Sequence, residues 1–233
     1  MPVHILGHQR PAAQEVEVIG WRAPPKKIIM APSQWGTMMR LLFTAFLLLA
    51  FPAFAADTVT ECDRLGAHHD DPDRIAAGAP LKTAADQKAA VAACEADLTK
   101  QPTNLRIHYQ LARALFYSGD TARGIKEMKT VADAGYRQAQ FVFGAFINNK
   151  RPGAPTDICV AEDYWWKSAN AGRQAARLSY VRHVLKGKFA GCKLHATKAD
   201  LDRLLAISSK EQNDYYQRVL IEDLKEMLVS YKG

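Results

Sequence analysis

Residues 139–172 read AQFVFGAFINNKRPGAPTDICVAEDYWWKSANAG. Two apolar stretches flank a loop rich in Pro and Gly, the pattern of a helix, a turn and a second helix. Small residues at Ala139, Gly144, Ala161 and Ala169 fall where two helices cross closely. Phe141, Phe143, Phe146, Tyr164, Trp165 and Trp166 supply the bulk that fills the seam. A single hairpin of this kind cannot cover its own apolar faces, so it needs neighbours of the same build.

The flanking sequence supplies them. Arg137-Gln138-Ala139-Gln140 recurs as Arg173-Gln174-Ala175-Ala176, and Ala134-Gly135 recurs as Ala171-Gly172. Each Ala-Gly pair is placed to close a helix, with Gly where the backbone turns left-handed. Upstream, 107–135 forms another hairpin. Tyr109, Leu111, Ala112 and Leu115 line its first helix, and Ile125, Met128, Val131 and Ala132 its second. Ser118-Gly119-Asp120 makes the turn, with Asp120 or Thr121 as N-cap. A further helix is expected over 84–100, and a helical region over 203–231 caps the array. The adjacent rings of Trp165 and Trp166 cannot both face one seam, so one packs on the next repeat or lies at the surface.

The unit 139–172 resembles a Sel1-like repeat, a subfamily of the tetratricopeptide superfamily. Ala139, Phe141, Phe143, Gly144 and Phe146 match its first helix, and Asp157 its loop. Ala161, Tyr164, Trp165, Lys167, Ala169 and Gly172 match its second helix. The loop is longer than typical, and Ser168 stands in place of Ala. The unit 107–135 looks like a plain tetratricopeptide repeat, and the unit after Gln174 is degenerate. The resemblance implies an all-α fold, a right-handed superhelical solenoid of antiparallel helix pairs. On this reading 84–233 is the repeat domain and 56–83 an irregular N-terminal segment.

Ahead of it, 38–55 has the marks of a signal peptide. Arg40 precedes a continuous apolar run, and Ala53-Phe54-Ala55 offers small residues for cleavage. The run is short for a membrane span, so none is expected after cleavage. Residues 1–37 then read as a mis-annotated or disordered extension. Beyond residue 55 there are 26 Lys and Arg against 22 Asp and Glu, a mild basic excess with no stripe suited to nucleic acid. Four cysteines in an exported chain favour disulfides and allow three connectivities. The pairing expected is Cys62–Cys94 and Cys159–Cys192. The first ties the irregular segment to the helix over 84–100. The second joins residues that each precede the second helix of adjacent repeats. Exported Sel1-like relatives often carry such pairs, and Cys62-Asp63-Arg64-Leu65, Asp71-Pro72 and Ala93-Cys94 resemble the start of alphaproteobacterial members.

Signs of chemistry are sparse. His68-His69-Asp70-Asp71 holds four ligand types, but neighbouring residues point apart, and a polar turn is the simpler reading. Cys192-x-x-His195 lacks a second half of zinc-site spacing. Glu162-Asp163 and Glu222-Asp223 are expected on solvated faces. Nucleotide, hydrolase and metalloprotease motifs are absent. No catalytic residue, metal or cofactor is therefore expected.

The resemblance implies instead a concave face that binds a protein or peptide partner in the cell envelope, carrying Gln110, Arg113 and Tyr117 from one unit and Ala145, Asn148 and Asn149 from the next. A periplasmic or secreted adaptor is the leading expectation. A cell-wall glycan binder using Tyr and Trp as stacking faces comes second, and a hydrolase with an unrecognised site third. A homodimer through the C-terminal helix is a further possibility.

Overall fold

The computed structural model describes residues 58–232, and the expectations for the extension 1–37 and the signal peptide 38–55 lie outside them. Helices joined by loops make up the described residues, among which there is no strand. In chain order the helices are α1 (Glu61–Gly66), α2 (Ala84–Lys100), α3 (Leu105–Tyr117), α4 (Thr121–Asp133), α5 (Arg137–Asn148), α6 (Ile158–Asn170), α7 (Gln174–Leu185), α8 (Lys198–Ser209) and α9 (Tyr215–Ser230). None is long and apolar enough to cross a membrane. Each helix packs chiefly on its neighbours in chain order, with α1 also reaching α3 and α7 reaching α9.

The helix ends follow local rules. Asp120 caps α4 through Arg123 N–H, and Asp157 caps α6 through Cys159 N–H. Threonines 60, 83 and 197 each form a capping box with an Asp three residues on. Helices α4 and α6 stop alike. Gly135 (φ +95°) and Gly172 (φ +94°) take the left-handed position. Tyr136 N–H then bonds Val131 C=O, and Arg173 N–H bonds Ser168 C=O. This paired closure supplies donors for the last carbonyls and turns the chain directly into α5 and α7. The recurrence read in the sequence is this repeated stop and start.

Two larger apolar clusters meet at α6. Tyr164 packs edge-on to Phe143 in the cluster built from α3 to α6. Its neighbour Trp165 belongs to the cluster built from α6 to α9, against Phe141, His183 and Phe189. Trp166 is half-buried on Tyr180 and His195. Both tryptophans thus pack toward α7 and the loop beyond it. The C-terminal region consists of two helices, broken over 210–214. The stripe on α9 is largely covered, with Ile221, Leu224 and Leu228 buried while Val219 stays exposed.

The segment 56–83 is less irregular than expected, because α1 forms inside it. The disulfides are Cys62–Cys94, with Cα atoms 4.4 Å apart, and Cys159–Cys192, at 5.3 Å. The first fixes α1 to α2. The second fixes the first turn of α6 to the 186–197 loop. Each closes a loop of 32 or 33 residues, worth about 2–4 kcal/mol. After isolation without reductant, none of the four thiols is expected to react with an alkylating agent. Two reactive thiols per chain would rule out one of the crosslinks, and four would rule out both.

Candidate functional site

The segment after α1 folds back over α3 because one arginine holds it there. Arg113 donates from its terminal nitrogens to the carbonyls of Gly66 (2.9 Å), Ala67 (3.3 Å) and Ala79 (2.8 Å). The Ala79 amide closes the fold-back on Ala67 C=O at 2.7 Å. The far side is tied to the start of α5. Asp71 accepts from the Tyr136 hydroxyl at 2.8 Å, and Asp73 pairs with Arg137. Between these ties, His68 and Asp70 are carried to the rim of a cavity of about 180 Å³.

Helix α3 gives the cavity Tyr109, Arg113, Phe116 and Tyr117, and α5 gives Gln138, Phe141, Val142 and Phe146. Met128 and Arg173 complete the wall. Arg173 reaches in from the start of α7. Its Nε donates to Gln138 Oε1 at 2.5 Å, and its guanidinium lies 5.3 Å over the Phe141 ring. Gln138 donates onward to the Tyr109 hydroxyl at 3.3 Å. The Arg113 guanidinium lies 5.4 Å from the centre of the Tyr117 ring.

The electrostatics of the wall are lopsided. Burial lowers the pKa of both Arg113 and Arg173, which remain cations at neutral pH. Burial first, and then the charge of Arg113, pushes His68 down to about 4. His68 is therefore neutral at pH 7, and its Nδ1 accepts the Asp70 N–H at 3.0 Å. Asp70 is the one carboxylate on the wall, and it is exposed. Ligand atoms of His68, His69 and Asp70 lie within 4.8 Å of one another, a cation-sized group. The neighbouring guanidiniums oppose a cation there and favour an anion.

The structure sorts the residues expected on a concave face. Arg113 and Tyr117 meet at the cavity, with Tyr117 half exposed. Gln110 is wholly buried and donates to Asp63 at 3.0 Å, so it is part of the α1–α3 contact and not of an open face. Arg113 is also buried, at 6 % exposure, since its hydrogen bonds hold the fold-back. Ala145 packs against the α6–α9 cluster, and Asn148 and Asn149 bond each other away from the cavity. Reading the sequence missed His68, Gln138, Phe141 and Arg173 as a group. The available signal was the recurring Arg-Gln-Ala, which sets an arginine at the start of both α5 and α7.

A second polar cluster also corrects an expectation. Glu162 is buried, not solvated. It accepts from Tyr180 OH (2.5 Å), His195 N–H (2.9 Å) and pairs with His195 Nδ1 at 2.7 Å. The Cys159–Cys192 crosslink brings the 186–197 loop back over α6, and that loop covers the carboxylate. Replacing Glu162 by Gln removes the charge that His195 meets and is expected to cost about 1–3 kcal/mol, read as a lower melting temperature.

No family model matches this chain, and neither a curated protein nor a solved structure does.

Proposed function

We propose that this chain is an exported, non-enzymatic binding module. On this reading its helix pairs form a Sel1/tetratricopeptide-like right-handed solenoid, and it acts in the periplasm or outside the cell as an adaptor for a protein or peptide. Packing of each helix on its chain neighbours supports the solenoid, as do the matching closures of α4 and α6. The two disulfides and the signal-like stretch 38–55 support export. The observation that carries the docking face is the cavity of about 180 Å³ between α3 and α5, with a buried arginine inside and the half-exposed Tyr117 at its lip. Aromatic and arginine side chains concentrate binding energy in pockets of this kind.

Two other readings are weighed on the same residues. A glycan binder needs exposed aromatic faces; Trp165 is only 3 % exposed and Trp166 lies on Tyr180 and His195, which leaves Tyr117, Tyr215 and Tyr216 as the exposed rings for it. A hydrolase reading draws support from His68, a neutral imidazole at the cavity rim with a depressed pKa. The same wall carries no Ser, Cys or Lys as a partner nucleophile.

The test is a photo-crosslinking residue placed at 117 in the exported protein, with the same residue at 216 as control. Tyr216 is 80 % exposed and does not line the cavity. A protein adduct formed from 117, absent from 216 and lost on Arg173→Gln, is the expected result. Identical adducts from both positions, or none from 117, would overturn the docking reading. Arg113 is unsuited as the control, because its loss releases the fold-back.

A further inference from the structure

We propose that the cavity between α3 and α5 binds a carboxylate borne on a small aromatic or branched apolar body. The inference rests on the docking reading and names the chemistry that the docked group presents.

Elsewhere in the described fold, arginines that are not exposed meet carboxylates. Arg106, Arg137 and Arg177 each meet a carboxylate, from Asp63, Asp73 and Glu211 respectively. Arg113 and Arg173 form no ion pair with a described residue. Arg113 is 94 % buried, and its terminal nitrogens are held by three backbone carbonyls. Its Nε is buried with no hydrogen-bond partner among the described residues. A buried donor left unsatisfied is destabilising, and native structures keep few of them. Arg173 brings a second positive charge to the same wall, and its side chain donates to the neutral Gln138. Asp70, exposed on the same wall, acts on Arg173 through its charge but forms no ion pair with it, and Asp71 and Asp73 are engaged with Tyr136 and Arg137.

The remainder of the wall defines the body of the ligand. Phe116, Phe141, Phe146, Met128 and Val142 are apolar, and Tyr117 adds a ring at the lip. A dry cavity of about 150 Å³ accepts benzene. The space here, about 180 Å³, suits one phenyl or leucyl group with a carboxylate beside it. It is too small for a long stretch of chain. A free small acid and the last residue of a polypeptide share this chemistry.

The experiment uses the disulfide-bonded chain, titrated calorimetrically at pH 7 with N-acetylphenylalanine, N-acetylleucine and their amides. A decapeptide ending in Phe, as free acid and as amide, forms the second arm. At least one acid is expected to bind, its amide at least tenfold more weakly. Arg173→Gln is expected to weaken the acid at least tenfold with an unchanged melting temperature. Equal binding of acid and amide, no effect of Arg173→Gln, or no binding by any acid overturns the carboxylate assignment. Each can occur while the crosslink from position 117 persists, so the two readings fail separately. A decapeptide acid binding tenfold tighter than the free acid assigns the source to a chain terminus. Equal affinities assign it to a free small acid.

Discussion

Replacing Asp63 by alanine is expected to destabilise the chain by about 3–5 kcal/mol, the range for removing one partner of a buried ion pair. Asp63 is wholly buried. Its carboxylate accepts from Arg106 Nε at 2.8 Å, Gln110 Nε2 at 3.0 Å and Thr60 N–H at 3.0 Å. It thereby caps α1 and fastens α1 to α3 together. The alanine leaves the Arg106 charge in place without its carboxylate, and this residual charge is the larger part of the cost. The double variant Asp63→Ala, Arg106→Met is therefore expected to recover stability relative to Asp63→Ala alone. Denaturant midpoints for both singles and the double close the cycle. Additive losses would show that Asp63 and Arg106 are not energetically coupled.

The same carboxylate sets a pH dependence. Burial alone raises its pKa, but the hydrogen bonds from Arg106, Thr60 and Gln110 outweigh burial and hold it below the usual range. A depressed carboxylate stabilises the fold above its unfolded pKa of about 3.9, and the contribution fades as pH falls through the folded value. Asp71 works in the opposite sense, because burial raises its pKa. Between about pH 4 and 2, the unfolding free energy of Asp63→Ala should fall less steeply than that of the parent chain. Parallel slopes would remove Asp63 from the acid response.

Which features were legible in the sequence follows from the range of the interactions that make them. The helices over 105–117, 121–133, 137–148 and 158–170 rest on local periodicity, caps and the Ala-Gly stops, and these stand in the sequence near where they act. Helix α1 was not legible, because a helix of six residues draws its support from Arg106 and Gln110, 43 and 47 positions away. For the same reason the resemblance placed Gln110 and Arg113 on an open concave face. A repeat pattern cannot register that a returning segment brings acceptors over them. Glu162 is the same error on α6, where the acceptor is the side chain itself and the returning segment is the disulfide-held loop. The cavity joins residues from five stretches of chain, so its composition is a property of the fold.

The close crossing at Gly144 was legible as a small residue, and the structure adds a second at Gly124. A Cβ at Gly144 would lie 2.5 Å from Cδ1 and Nε1 of Trp165. A Cβ at Gly124 would lie 2.7 Å from the backbone nitrogen of Phe116. In an open helix, Gly→Ala gains up to about 1 kcal/mol. At Gly144 that gain is opposed by displacement of an indole that is packed on Phe141, His183 and Phe189 and donates to Phe141 C=O at 2.9 Å. Overpacking of this kind costs about 1–3 kcal/mol, and Gly144→Leu should reach the upper end. At about 2–4 °C per kcal/mol for a chain of this size, its melting temperature should fall by roughly 6–12 °C. Trp165 emission should shift to the red as the ring is pushed toward water. Gly124→Ala is expected to destabilise too, without that spectral change, since it presses on the backbone of α3 and leaves Trp165 alone. A melt unchanged by Gly144→Leu would show that α5 and α6 do not cross at this distance. A red shift in Gly124→Ala would show that the two crossings are mechanically linked through α4 and α5.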